Sequence, residues 1–346
     1  MLDRLFILIS GATRILPRRL PMAKRLSVDD KLAAVRRLRS LSPSSQVTSE
    51  LRLALRDKSN LVAAAAASIV ADQNQAPLAV ELAAAFERFM VEPLSNDKLC
   101  RGKMAVVEAL DKLEYDGSAL FLRAARHVQL EPVWGGSEDT AAPLRAAAIM
   151  ALLRIGYHGL LPLLVDALAD PQKDVRSAAA QALGLHGSDS AQLVLRLKAR
   201  LGDRDPDVLS ECFSGLLTAA PTEGLEFVAE FLDSSDGSVQ EAAVLALGRS
   251  RLPQAFDLLR SCRQRHPIGL DEEIFLAMAM LRLLAATDFL LDTVATDGEM
   301  TASAALSALL IYRYDPLLRD RIADAVQKSA RPVLQTKFER AIESDR

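Results

Sequence analysis

Aromatic side chains are scarce in this chain. They make up 5% of its 346 residues, and Trp134 is the single tryptophan. The apolar fraction, 50% of the residues, is therefore mostly alanine and leucine. Such residues suit close helix packing and carry high helix propensity. Cysteine is scarce too. Cys100, Cys212 and Cys262 are isolated, odd in number and without metal-ligand spacing. That excludes a disulfide framework and reads as small core residues in a reducing compartment. No apolar run approaches the ~20 residues of a membrane span. The apolar stretch Leu2–Ile9 is too short for a signal peptide, so the expected location is the cytoplasm. There is no phosphate loop, dinucleotide fingerprint or nucleophile elbow, and Gly135-Gly136 alone reads as a turn. A net charge of −3 gives no global electrostatic reason to bind nucleic acid.

What the chain has is a recurring phrase. Leu144-Arg145-Ala146-Ala147-Ala148 is echoed from Val175, again from Val239, and more loosely from Val208. The anchors Leu144, Val175, Val208 and Val239 lie 31, 33 and 31 residues apart. A period near 30 with helical patterning indicates stacked helical hairpins and not a closed globule. One unit reads as a first helix over 159–168, a turn Asp170–Asp174, and a second helix from Val175 to Leu183. Apolar or small residues at 175, 178, 179, 182 and 183 share one face of that second helix. Gly184 and Gly248 are expected to stop their helices. Asp205 before Pro206 fits an N-cap with proline in the first turn. Weaker second-helix patterns cover 97–113, 271–286 (Ile274 to Leu284) and 301–311, and a helix is expected over 29–41.

The expected fold is all-α, a solenoid of about eight or nine hairpins. Residues 1–28 form a basic and apolar segment, 29–328 the solenoid and 329–346 a polar capping helix. The motifs Asp170-Pro171, Asp174-Val175-Arg176, Ala178-Ala179, Ala182-Leu183-Gly184, Asp205-Pro206-Asp207-Val208 and Ser238-Val239 through Gly248 resemble the HEAT-repeat family. Within it they are similar to the bacterial lyase-like repeats. The resemblance implies an α-solenoid that mostly binds other proteins. It also offers a bilin-lyase-like chromophore attachment factor or chaperone, and a DNA-binding HEAT-like protein, as alternatives. A di-iron hydroxylase of HEAT type would require repeated His-Glu pairs, and none occurs. Glu211 stands where the other units have alanine.

Charge is unevenly spread. Residues 1–60 carry 13 Lys and Arg against 5 Asp and Glu, whereas residues 201–300 carry 7 against 18. An elongated body so polarised can orient a charged partner. Glu226, Glu230 and Glu241 are expected to remain free for a basic protein partner. Turn acids such as Asp203, Asp205 and Asp236 are expected to be spent on capping. Arg145 and Arg176 occupy one position on successive second helices. They form either a cationic ladder for a partner or internal pairs with Asp139, Asp170 or Asp174. Trp134 lies in an enlarged loop over 131–143 with Glu138 and Asp139. It is either a partner anchor or a plug that fills an apolar gap. His158 and His186 read as companions of helix C-termini, and His127 and His266 pair with nothing at metal spacing. The N-terminal segment is either a cap on the first repeat or, through residues 1–25, a contact with an anionic membrane surface. The reading is a non-enzymatic protein-binding scaffold or adaptor without cofactor, metal or nucleic acid.

Overall fold

The structure, a computed structural model, describes residues 27–266 and 269–343. Of the N-terminal segment expected over residues 1–28, residues 1–26 lie outside them, and with these the membrane contact expected through residues 1–25. The chain enters as α1 (Val28–Leu38), α2 (Ser45–Leu55), α3 (Asn60–Asp72), α4 (Ala79–Met90), the single turn α5 (Pro93–Asn96), α6 (Arg101–Lys112) and α7 (Ser118–Ala125). Two short strands follow, β1 (Leu130–Val133) and β2 (Gly136–Asp139). The middle comprises α8 (Ala142–Arg154), α9 (Leu160–Ala167), α10 (Lys173–His186), α11 (Asp189–Leu201), α12 (Pro206–Ala219), α13 (Pro221–Ala229) and α14 (Gly237–Ser250). The last part is α15 (Pro253–Arg265), α16 (Asp271–Met280), α17 (Leu284–Thr296), α18 (Glu299–Leu309), α19 (Pro316–Ser329) and α20 (Pro332–Glu343).

The helices pair as α2/α3, α4/α6, α7/α8, α9/α10, α11/α12, α13/α14, α15/α16, α17/α18 and α19/α20, which makes nine hairpins among the described residues. The second helices stack in series from α3 through α6, α8, α10, α12, α14 and α16 to α18. Contacts run to adjacent units, which is the quasi-one-dimensional packing of an α-solenoid. The all-α architecture read from the repeat period is the one observed.

The repeated phrase explains this stacking. Four residues after each anchor stand Ala148, Ala179, Cys212 and Ala243, and seven after stand Ala151, Ala182, Gly215 and Ala246. All eight are buried. Side chains this small let neighbouring helix axes approach closely, and the leucines one position further on, Leu152, Leu183, Leu216 and Leu247, are buried as well.

Gly184 does not stop its helix. α10 continues to His186, and Gly187 ends it at a φ of +68° with its N–H donating to the Leu183 carbonyl. Gly184 instead faces Gly215 of α12, and a Cβ built there would stand 2.4 Å from the Gly215 Cα. Gly248 is likewise interior to α14, which ends at Ser250 with left-handed Arg251 behind it. A Cβ on Gly248 would stand 2.5 Å from the Ala277 Cα of α16. Both glycines serve backbone-to-backbone contact between consecutive second helices, where any side chain overpacks. Leu284, grouped by pattern with α16, instead begins α17 and is exposed.

Gly184→Ala should lower stability by about 1–3 kcal/mol through overpacking. Gly237→Ala, at the open start of α14 with no heavy atom within 4 Å of the new Cβ, should leave the melting temperature nearly unchanged. Equal melting curves for the two variants would remove the close-contact role.

Candidate protein-binding site: a hairpin on a buried polar support

The enlarged loop of the sequence is a β-hairpin. β1 and β2 pair antiparallel from Leu130↔Asp139 to Val133↔Gly136, which leaves Trp134 and Gly135 as the two-residue turn. Gly135 sits at a φ of +90°, a conformation glycine adopts without a Cβ penalty. Trp134 is fully exposed at the tip, and Leu130 and Val133 beside it are also exposed. The plug alternative for Trp134 is thereby overturned: the indole fills no gap.

Beneath the hairpin lies a polar network. Asp97 and Lys103 are both fully buried and pair at 3.3 Å. The Asp97 carboxylate also accepts the Gly102 N–H at 2.7 Å, the Lys103 N–H at 3.0 Å and the Asn60 side-chain amide at 2.9 Å. Lys103 Nζ donates to Gln129 Oε1 at 2.6 Å and to the Phe89 carbonyl at 3.3 Å. Gln129 Nε2 in turn donates to the Asp97 carbonyl and to Glu131 Oε1. Glu131 Oε1 further accepts from the Leu99 N–H at 2.5 Å and Thr140 Oγ1 at 2.9 Å. A buried ion pair is stable only when its remaining donors and acceptors are satisfied, and these are. The same bonds hold Leu99 and Cys100 at left-handed backbone angles, φ +59° and +53°, which non-glycine residues rarely adopt.

The second strand is pinned through Arg145, which is buried on α8. Its guanidinium meets Asp139 Oδ2 at 2.7 Å, grips both oxygens of Asp170 at 2.9 and 3.0 Å, and donates to the His127 carbonyl. Arg176 on α10 repeats the motif. It grips both oxygens of Asp203 at 2.8 Å, meets Asp205 at 2.5 Å and donates to the Asp170 and Pro171 carbonyls. Arg145, Arg176 and Asp139 thus spend their charge inside the fold, and Asp174 pairs with neither arginine. The N-cap expected of Asp205 is corrected as well: it precedes Pro206 of α12 as foreseen, but its side chain caps no N–H and goes to Arg176.

These contacts set the acidity of the turn carboxyls. Burial alone would raise Asp203, but hydrogen bonds from Arg176, Lys198 and the Asp205 N–H outweigh it and lower the group to about 2. Burial also works against Asp139 and Glu131, and their hydrogen bonds still leave both below the ordinary carboxylate range. Burial pushes His127 below the usual histidine range. It pushes the Cys100 and Cys212 thiols up to about 12, so at neutral pH neither is a thiolate nucleophile.

The other candidate residues scatter. Glu138 is exposed on β2. Glu226 and Glu241 are exposed on α13 and α14 with no ion pair among the described residues. Glu230 is not free, because Arg200 meets it at 2.6 Å. Glu211 pairs with Arg249 across α12 and α14 at 2.9 Å, which gives the departure from alanine a role between units. Asp236 caps the Ser238 N–H as expected, and His266 meets Asp233 at 2.9 Å. Among the described residues no group of three or more His, Cys, Asp or Glu could hold a metal ion. No described helix is long and apolar enough to cross a membrane.

The anchored phrase, its turn aspartates and the stacked second helices meet in a sequence profile. The family profile of HEAT repeats matches residues 136–197 and 194–269. Residues 136–269 are HEAT repeats. The matched HEAT units contain Arg145, Arg176 and the close-contact glycines, whereas the Asp97–Lys103 pair lies ahead of them. Among solved structures the chain is similar to YibA of Escherichia coli, with a TM-score of 0.41 at 16% identity over 83% of this chain and 98% of that one. It is also similar to the CpcE–CpcF complex of phycocyanin lyase from Nostoc sp. PCC7120, with a TM-score of 0.35 at 17% identity over 84% of this chain and 97% of that one. An engineered protein gives a TM-score of 0.36 at 17% identity, covering 91% and 95%. No curated protein matches the sequence.

The Asp203 shift predicts an acid transition of known sign. A carboxyl lowered by folding stabilises the fold above its unfolded pKa, and that contribution is lost as pH falls through the folded value. The Asp203 contribution, about 2 kcal/mol, should therefore be intact above the ordinary 3.8 and disappear as pH falls towards about 2. Urea unfolding across that window should show the slope in the parent and a flatter one in Arg176→Met. Parallel slopes would remove the Arg176–Asp203 pair as the cause.

Proposed function

We propose that this protein is a non-enzymatic binding scaffold, and that the hairpin Leu130–Asp139 presents Trp134 as the anchor for a protein partner. The full exposure of the indole at the tip of a hairpin whose base is held by buried charge carries this reading. Tryptophan is enriched among residues that dominate binding energy, and an anchor already ordered before binding costs less entropy to immobilise. The polar groups beneath the hairpin bond to one another, which suits a support more than a reaction centre. Glu131 and Asp139 bond inward, but Glu138 is exposed on the hairpin, which has no Lys or Arg, so a basic partner surface fits it best. The exposed Glu226 and Glu241 would steer the same partner at long range.

Trp134→Ala should leave the melting temperature unchanged, since no packed atoms are lost. It should also reduce partner recovery in affinity purification from the source cells at least about tenfold, the effect of removing an anchor residue. The parent's tryptophan emission should resemble that of free indole in water and be quenched freely by iodide. Recovery of the same proteins at the same level by parent and variant would refute the anchor.

A further inference from the structure

Behind α16 and α18 the chain forms an open cavity of about 480 Å³, separate from the hairpin and its support. Leu284, Ile311, Tyr314 and Leu318 give it a mostly apolar wall. Tyr312 lines it too, half-buried, with its hydroxyl donating to the Ala279 carbonyl of α16. The arginines around it differ in their bonds. Arg321 meets Asp288, and Arg313 lies over the Tyr314 ring at 4.5 Å and donates to the Tyr314 hydroxyl at 2.9 Å. Arg282 lines the cavity, is exposed, and its guanidinium makes no hydrogen bond or ion pair among the described residues. Arg251 holds the equivalent place one repeat earlier, 31 residues back, and its guanidinium is unpaired among them as well. Both follow a second helix at left-handed backbone angles, φ +55° for Arg251 and +56° for Arg282. Burial raises the Tyr312 phenol above its ordinary range, and these same two guanidinium groups oppose the rise, so both act at the cavity. Asp315 is the acid in the lining. Its Oδ1 accepts the Leu317 and Leu318 N–H groups at the start of α19, at 3.0 and 3.3 Å, and no cation pairs with it among the described residues.

We infer that this cavity binds a small monocarboxylic acid with an apolar body, its carboxylate on Arg282 and its body against Leu284, Ile311 and Tyr314. The size is that of a small-molecule site, and an apolar lining with a few placed polar groups is the usual make-up of one. A planar guanidinium offers a carboxylate two parallel N–H donors, and the fork of Arg282 is not spent on any residue of the chain. The charge count selects the anion. Arg321 is neutralised by Asp288, and the unpaired Arg251 and Arg282 face the one carboxylate of Asp315, so a single positive charge is left over. A monoanion balances it. A phosphate dianion would exceed it and be repelled by Asp315. Arg251 adds attraction at longer range, and Tyr312, neutral at physiological pH, adds none of its own charge.

Calorimetric titration of the full chain with 3-phenylpropionate and with octanoate should give a dissociation constant of about 1 mM or tighter for at least one of them. The neutral isostere 3-phenylpropanol should bind at least about tenfold more weakly, and inorganic phosphate should give no binding heat at the same concentrations. Arg282→Gln should lose at least about tenfold in affinity for the acid at an unchanged melting temperature, because this guanidinium supports nothing within the chain. Arg282→Lys should recover part of that loss, since it restores the charge without the fork. Trp134→Ala should bind the acid as the parent does, which keeps this site distinct from the hairpin. No binding of either acid, equal binding of acid and alcohol, tighter binding of phosphate than of acid, or an Arg282→Gln that binds like the parent would overturn the inference.

Discussion

One carboxylate per turn does two jobs in this solenoid, and much of the stack depends on it. Asp57, Asp170 and Asp203 each accept a backbone N–H two residues ahead, at 2.9, 2.8 and 2.9 Å, which shapes the turn into the second helix. Each also takes a cation from the preceding part of the chain: Lys31 for Asp57, Arg145 for Asp170, Arg176 for Asp203. Turn shape and the placement of neighbouring units are therefore one interaction and not two. A charge-assisted, two-pronged bond of this type also sets orientation, which a contact between alanines cannot. The arrangement lapses from α12 onward, where Leu209 on α12 and Gln240 on α14 stand in place of the arginines and the Gln240 amide donates to the Leu232 carbonyl of its own unit. From there the stack relies on apolar packing and on surface pairs such as Arg249–Glu211.

The periodic part of this fold was legible because the period is carried by residue size as well as polarity. Val175, Ala179, Ala182 and Leu183 announce a helix face whatever their partners are. Gly184 was misread because a glycine near the end of a helical run has two local meanings, terminator or close contact. Only Gly215 on the facing helix separates them. Asp205 failed for a related reason. An acid before proline is an N-cap by local rule, yet a guanidinium 29 residues earlier in the chain outbid the N–H groups beside it.

The site was half legible. Trp134, Glu138 and the enlarged loop stood out because they interrupt the repeat, and Val133-Trp134-Gly135-Gly136 carries the two-residue turn that makes a hairpin. The support beneath it was missed. Lys103 occupies a position on the apolar face of α6 beside Val106 and Val107, and a lysine in that register is the available signal of a buried charge. Its partners Asp97 and Gln129 lie on either side of it in irregular chain, at distances no helical period predicts.

The hairpin is tied to four separate parts of the chain: Asn60 through Asp97, the left-handed turn at Leu99, Lys103 on α6, and Arg145 on α8 with Asp170 behind it. In the proposed anchor role, force applied to Trp134 by a departing partner is divided among several stacked units at once. No single bond in the base bears it alone, and the strands cannot peel without disturbing buried charge on α6 and α8. In that proposed role the contact between indole and partner gives way under tension before the hairpin loses its own shape.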